Sequence, residues 1–152
     1  MESYQRQLQN YTVLTTVVSK VFSRNYLNPK MNYVEIIIGG DNEKEEIDEI
    51  DGKILRFLSN YTRNSSVEIA NRIGVTPKTV INRITKLEEK KIILGYKPLL
   101  DLRKIGYRSS LLLIKYHNLT SEIEKRFINF LKAHPHVLSI TKMLGEWDIE
   151  IE

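Results

Sequence analysis

The chain has 152 residues, of which 41% are hydrophobic and 28% charged, and it carries a net charge of +4. This composition is that of an ordinary globular protein with one large or two small domains. No apolar run approaches the roughly 20 residues that span a bilayer, and the first residues lack the pattern of a signal peptide. The absence of cysteine excludes disulfides, thiolate zinc sites and cysteine nucleophiles. We therefore expect a cytoplasmic protein without a membrane span.

Residues 1–42 form an N-terminal segment whose pattern is mixed. Its apolar residues fit a helical period, but Thr12–Val18 is rich in β-branched side chains, which favour a strand. We predict a short helix to about Asn10, followed by a strand. A second apolar stretch, Tyr33–Ile38, ends at the turn formed by Gly39-Gly40-Asp41.

Residues 43–104 carry the pattern of three helices. In the first of them, apolar residues recur at helical spacing: Ile47, Ile50, Ile54 and Leu58. Ser65 and Glu68 form a capping box at the start of the second helix, and Gly74 follows where a helix ends in a left-handed residue. Thr76 then provides the N-cap of the third helix and Pro77 its first residue. Backbone N–H groups beside Thr76 can also hold a phosphate.

The third helix has one apolar and one polar side, as in the recognition helix of a helix-turn-helix. Val80, Ile84 and Leu87 share the inner stripe, with Ile81 flanking it. The other side carries Lys78, Thr79, Asn82, Arg83 and Lys86.

These polar side chains are of the types that contact DNA. Lys78 and Thr79 lie at the start of the helix, where base edges are usually met. Asn82 can bind adenine through two hydrogen bonds, and Arg83 can bind guanine or a phosphate. An ion pair with a glutamate is the alternative role for Arg83. Lys86 suits a phosphate, which positions the protein without reading sequence.

Positive charge is concentrated around the same helices. Residues 52–104 contain twelve Lys and Arg against four Asp and Glu, an excess of eight, so the rest of the chain has a charge of −4. Within this segment, the apolar stretch Ile92–Leu100 around Gly95 predicts the two strands of a wing, from which Lys97 can reach a phosphate. A basic helix considered alone is usually just a lysine-rich surface exposed to solvent. Together with the helix-turn-helix motif, however, the concentrated positive charge favours double-stranded DNA as a partner.

Residues 105–152 change to an alternation of strands with one helix. We predict a strand over Arg108–His117, a helix over Ser121–Ala133 begun by a Ser121–Glu124 capping box, and a strand over Val137–Leu144. Residues 146–152 alternate apolar and acidic side chains, which is typical of a third strand. This order predicts an α+β sheet that stops within its third strand.

Three blocks in this order resemble the Lrp/AsnC family of transcription regulators: IDEIDGKILRFLS, SSVEIANRIGVTPKTVINRITKLEEKKIILGY and GEWDIEIE. The resemblance covers about Ile47 to Glu152. It implies an α+β protein with a winged helix-turn-helix domain, residues 43–104, followed by a partial ferredoxin-like (βαββαβ-type) effector and oligomerisation domain, residues 105–152. It also implies a homodimer or higher homo-oligomer, and a small effector, often an amino acid, bound near Gly145 and Asp148.

The chain departs from the family in two respects. A further helix and a last strand are absent after the third strand, whereas residues 8–29 look like the end of such a domain, as in archaeal relatives with tandem units. We hypothesise that Thr12–Ser23 serves as the missing edge strand and pairs with Arg108–His117 of the same or a neighbouring subunit, because edge strands invite such pairing.

No catalytic site, metal site or cofactor is predicted. The chain lacks G-x-S-x-G, P-loop and Rossmann patterns, and its three histidines form no metal-binding motif. Two alternatives stay open. The architecture also resembles that of the tetrapyrrole (siroheme) decarboxylases. Those enzymes keep a degenerate helix-turn-helix, whereas the helix-turn-helix of this chain retains its basic face. A truncated subunit that sequesters full-length relatives is the other alternative.

Overall fold

The structure is a computed structural model that describes residues 12–24, 26–27, 30, 34–40, 42–60 and 64–152. The chain divides into two compact units. The helical unit comprises residues 43–100, and the sheet unit comprises the described part of residues 1–42 together with residues 101–152. The helix predicted before Asn10 lies outside the described residues.

The helical unit contains the three predicted helices around one apolar core. They are α1, Glu49–Asn60; α2, Ser66–Ile73; and α3, Pro77–Glu89. Each helix contributes two residues that are at least nine-tenths buried: Ile54, Leu58, Ile69, Ala70, Val80 and Leu87. Ile84 packs against this core from α3 and is half-buried. The apolar periods of the sequence therefore predict the inner faces of the three helices.

The wing predicted over residues 92–100 is wrong, because no strand forms there. Pro98 lacks the N–H that a strand ladder requires, and a lone two-stranded hairpin is marginally stable in water. The segment is held instead at its start, where the Ile92 and Ile93 N–H groups donate to the Leu87 carbonyl at 2.9 and 3.1 Å, and by the Tyr96 hydroxyl, which donates to Glu88 Oε1 at 3.1 Å. Its apolar side chains Leu94, Leu99 and Leu100 are exposed.

The sheet unit is a five-stranded antiparallel sheet with the strand order β2-β1-β4-β5-β3. The strands are β1, Thr15–Phe22; β2, Glu35–Gly39; β3, Leu112–Ile114; β4, Ser139–Leu144; and β5, Ile149–Ile151. A short 3₁₀ helix, Leu102–Ile105, precedes β3, and α4, Ser121–Ala133, connects β3 to β4. The predicted strand–helix–strand–strand order is confirmed, and with it the α+β fold class.

The N-terminal strand exists, but the pairing predicted for it is wrong. Thr12–Ser23 does not pair with Arg108–His117; its strand, β1, lies between β2 and β4. The reason lies in the lengths of the available partners. β4 offers six residues to the eight of β1, whereas β3 has only three, so pairing with β4 satisfies more backbone groups.

Two further details of the sheet unit differ from the prediction. The strand expected over Arg108–His117 is limited to β3. The start of α4 is capped by Thr120 rather than by Ser121, because Thr120 is the extended residue and its Oγ1 accepts from the Ile123 N–H at 3.3 Å.

The core of the sheet unit lies where α4 covers the sheet. Leu131 of α4 packs there with residues from β1, β4 and β5: Phe22, Ile140, Ile149 and Ile151. The alternation predicted after Gly145 thus places Ile149 and Ile151 inside. Trp147, the third apolar residue of that alternation, is half-buried.

Candidate nucleic-acid interface

The turn between α2 and α3 is fixed by the two local signals that the sequence predicts. Ser65 Oγ accepts from the Glu68 N–H at 3.2 Å, and Glu68 Oε2 accepts from the Ser65 N–H at 2.8 Å, which completes the capping box. Gly74 ends α2 with φ 77° and ψ 37°, and its N–H donates to the Ala70 carbonyl at 2.9 Å. The left-handed residue lets the chain turn sharply into α3.

The start of α3 is capped by Thr76. Its Oγ1 accepts from the Thr79 N–H at 3.1 Å, and the hydroxyls of Thr76 and Thr79 lie 2.8 Å apart. Pro77 occupies the first helical position, where a backbone N–H would have no partner within the helix, so the missing N–H costs no hydrogen bond. Thr76 is therefore a cap, and the hydroxyl of Thr79, a half-buried residue, is already bonded to it.

The outward side of α3 presents polar groups to solvent. Lys78, Asn82 and Lys86 are exposed, and none of their side chains forms a hydrogen bond or ion pair with the described part of the chain. Ile81 is 53% exposed beside them, although the apolar pattern assigns it to the flank of the buried stripe. On the opposite side Val80 and Leu87 are buried. The outward side of α3 thus combines hydrogen-bond donors that have no partner in the described chain with one exposed apolar side chain.

Arg83 differs from the other polar residues of α3, because its guanidinium is bound within the protein. Nη1 donates to Asp48 Oδ2 and, at 3.2 Å, to Asp51 Oδ1, and its side chain is 32% exposed. The Asp51 N–H and then Arg83 hold the pKa of Asp48 below its ordinary value. The ion pair that the sequence left open for Arg83 is therefore present, with two aspartates instead of a glutamate.

A second ion pair joins the residue after α3 to the segment before α1. Lys90 Nζ lies 2.8 Å from Glu45 Oε2, and this hydrogen bond raises the pKa of Lys90. The acidic residues before and within the first turn of α1 therefore neutralise one edge of α3. Sequence reasoning missed this arrangement, although the D-x-x-D spacing of Asp48 and Asp51 at a helix start is a signal for it. Lys97 is exposed and lies in the 92–100 segment.

The turn predicted to bind an effector is built from internal contacts. Gly145 has φ 138°, and a Cβ there would lie 3.0 Å from the Val13 carbonyl oxygen, so glycine is required where the chain passes the residues before β1. Asp148 Oδ2 accepts from the Tyr116 N–H at 2.7 Å, and Oδ1 accepts from Lys115 Nζ at 3.3 Å. These bonds, the Tyr116 N–H first, lower the pKa of Asp148. The carboxylate thus ties the end of β3 to the turn.

Over the described ranges, none of the helices has the length and apolar character needed to cross a membrane. Those ranges also contain no group of three acidic or histidine side chains placed to hold a metal ion.

Comparisons with known proteins place this site in a family. Residues 47–88 match the AsnC-type helix-turn-helix domain. The leucine-responsive regulatory protein of Rhizobium meliloti is 44% identical over 62 residues, which are 41% of this chain and 40% of that protein. The HTH-type transcriptional regulator Ptr1 of Methanocaldococcus jannaschii is 33% identical over 102 residues, 67% of this chain and 68% of that protein.

The fold agrees with these matches. The crystal structure of an AsnC family transcriptional regulator from Agrobacterium tumefaciens superposes with a TM-score of 0.59 at 27% identity, over 69% of each chain. The chain therefore belongs to the Lrp/AsnC family of DNA-binding transcription regulators.

Proposed function

We propose that the protein recognises a specific double-stranded DNA site by placing α3 in the major groove. The supporting observation is the exposure of Lys78 and Asn82, which have no side-chain partner in the described ranges, on a helix whose inner side is buried. Because the inner side of α3 is packed in the core, its outer side can bind base edges and phosphates in place of water while the helix stays folded.

In this proposal each group on the outward side of α3 has a separate role. Asn82 reads adenine through two hydrogen bonds, and Ile81 offers an apolar contact to a thymine methyl group. Lys78, in the first turn, meets a base edge or phosphate, and Lys86 neutralises a phosphate. The first-turn backbone N–H groups that Thr76 does not cap provide a further phosphate site at the helix N-terminus. Lys97 adds a phosphate contact from the 92–100 segment.

Arg83 has a different place in the proposal. Both aspartate bonds are made by Nη1 of its guanidinium, so Nε and Nη2, which have no partner among the described residues, keep their donors for DNA. These donors suit a charge-assisted contact, so a phosphate is the better of the two DNA partners. In the absence of DNA, Arg83 positions α3 against α1.

We further infer that the functional protein is a homodimer or higher oligomer on a site with twofold symmetry. One recognition helix reads too few base pairs for specificity in a genome. The predicted oligomerisation domain offers a surface for a second copy, because Leu111 and Leu112, before and within β3, are 65% and 56% exposed in the sheet unit. Such a protein acts where the genome lies, in the cytoplasm. Light scattering with and without DNA measures the number of subunits.

An amino acid effector near Gly145 and Asp148 stays a prediction. Its ammonium group would have to replace Lys115 at Asp148, because the other carboxylate oxygen is bonded to the Tyr116 N–H. Titration of amino acids into the protein–DNA complex, read by fluorescence anisotropy, tests this prediction.

The DNA proposal is tested by selecting bound fragments from a random pool and comparing two variants on the selected site. Asn82→Ala should lose about 1–3 kcal/mol of discrimination at one base pair. Lys86→Ala should weaken binding to all DNA sequences alike. It should also reduce by about one the slope of the logarithm of affinity against the logarithm of salt concentration. Lys53→Ala, which removes one charge from α1, is the matched control. Identical sequence profiles for all three variants would contradict the proposed roles.

A further inference from the structure

The strand β2 lies at one edge of the sheet, with β1 on one side and no described strand on the other. Two backbone bonds show which groups of this segment point toward β1. The Ser23 N–H donates to the Val34 carbonyl at 2.9 Å, and the Gly40 N–H donates to the Val17 carbonyl at 2.9 Å. Because bonded positions alternate along an antiparallel strand, the even-numbered residues of β2 bond to β1. The N–H and carbonyl groups of the odd-numbered residues therefore point outward: Glu35, Ile37 and Gly39.

The central residue of this outward edge, Ile37, has both backbone groups unused. Among the described residues, none donates to its carbonyl and none accepts from its N–H. Its side chain is 51% exposed, and that of Ile38 on the other face of the sheet is 48% exposed. Natural edge strands usually carry a lysine, a proline or a bulge, because an open edge pairs readily with another strand. The sequence of β2, EIIIG, contains neither lysine nor proline, and its register with β1 is unbroken.

The single charged side chain of β2 is bound within the protein. Glu35 Oε2 accepts from Lys132 Nζ at 2.9 Å, and Oε1 lies 3.4 Å from Lys20 Nζ. The hydrogen bond from Lys132 is the main cause that lowers the pKa of Glu35. The edge of β2 therefore offers backbone donors, backbone acceptors and apolar side chains, and the partner that suits it is an uncharged, apolar strand.

We propose that β2 pairs with β2 of a second copy of this chain, in antiparallel orientation about a twofold axis at Ile37. In this register Ile37 faces Ile37 of the second copy, Ile36 faces Ile38, and Glu35 faces Gly39. Each face of one sheet then continues into the same face of the other, so apolar side chains meet on both faces. Glutamate meets glycine instead of a second glutamate, which keeps like charges apart.

Symmetry makes a second copy the partner that fits this edge. Pairing of β2 with β2 closes on itself, whereas pairing of β2 with β3, the opposite edge of the sheet, would continue into a filament. β3 also offers only three residues to the five of β2. The contact deepens the proposed homo-oligomer, on which it rests, by naming one of its interfaces. It leaves Leu111 and Leu112, at the β3 edge, available to a further copy.

A single introduced cysteine tests the register, because the chain contains no other cysteine. Bonded partners in an antiparallel pair have Cα atoms about 5.5 Å apart, which is within the reach of a disulfide. Ile37→Cys should therefore give a disulfide-linked dimer under mild oxidation. Ile123→Cys, at a residue of α4 that is 48% exposed, is the matched control and should stay unlinked. Equal linking of the two variants, or no linking of Ile37→Cys, would overturn the proposal.

Proline at the same position separates the contact from the fold. The Ile37 N–H points away from β1, so Ile37→Pro removes a bond of the proposed contact and none of the β1–β2 ladder. Ile37→Pro and Ile37→Lys should each halve the particle mass in light scattering, with a wild-type circular dichroism spectrum. Ile123→Lys is the control and should keep the wild-type mass. An oligomer unchanged by both Ile37 variants would overturn this contact alone, whereas a monomeric wild type would overturn the proposed oligomer as well.

Discussion

The helical unit is specified by contacts between near neighbours in the chain, whereas the sheet unit is closed by contacts between distant residues. Ser65 and Glu68 cap α2 across three positions, and Thr76 and Thr79 do the same for α3. In the sheet unit, Ser19 and Thr141 share a hydrogen bond at 2.8 Å across 122 positions. Local contacts place the proposed DNA-binding groups, while distant pairings close the sheet.

The largest expected effect concerns the centre of the helical unit. Ile54 is completely buried, so Ile54→Ala should lower the free energy of unfolding by about 2–5 kcal/mol through lost burial and a cavity. Ile37→Ala, at a residue 51% exposed on edge strand β2, should cost less than about 1 kcal/mol. Urea unfolding followed by circular dichroism measures both. Equal losses would mean that Ile54 does not hold the three helices together.

The same contrast explains what the sequence could predict. Helix starts, the left-handed Gly74 and the apolar stripe of α3 depend on residues within four positions of one another, so sequence patterns reveal them. The polar side of α3 follows from the same stripe, and with it the exposure of Lys78, Asn82 and Lys86.

The partners of the strands could not be obtained in this way. The pairing of β1 depends on the shortness of β3, which the apolar pattern of Arg108–His117 overestimates, and on β4, a strand more than one hundred residues away. The missing wing strands and the bonds of Arg83 to α1 likewise depend on which elements lie near one another in space. Exposure of Ile81 was missed because a flanking position on a helix is defined only by the packing of its neighbours.

Replacing each of two glycines of the helical unit with alanine should change its stability in opposite directions. Gly74 has φ 77°, so Gly74→Ala should destabilise the unit by about 1 kcal/mol although a Cβ would meet no atom within 4 Å. Gly52 lies within α1 with equally open surroundings, so Gly52→Ala should stabilise the unit by up to about 1 kcal/mol. Nothing in the structure explains a glycine at position 52. Thermal unfolding of the two variants should give shifts of opposite sign, and shifts of the same sign would contradict this account.

A smaller, pH-dependent effect is expected in the sheet unit. The pKa of Asp148 is lowered by folding, so its bonds to Tyr116 and Lys115 stabilise the protein above about pH 4 and are lost as pH falls through the lowered pKa. Asp148→Asn should therefore be less stable than the wild type at pH 7, and the difference should shrink toward pH 3. Urea midpoints across this range measure it. A difference that stays constant with pH would show that the carboxylate charge contributes nothing.

The central claim, that the outward side of α3 is the DNA-binding surface, is tested most directly by removing its polar groups together. The triple variant Lys78→Ala, Asn82→Ala, Lys86→Ala should lose at least about 100-fold in affinity for the selected DNA site. A double variant, Lys53→Ala with Arg126→Ala, removes the same number of positive charges elsewhere and should bind within a fewfold of the wild type. Wild-type affinity in the correctly folded triple variant, measured by fluorescence anisotropy at fixed salt, would contradict the account.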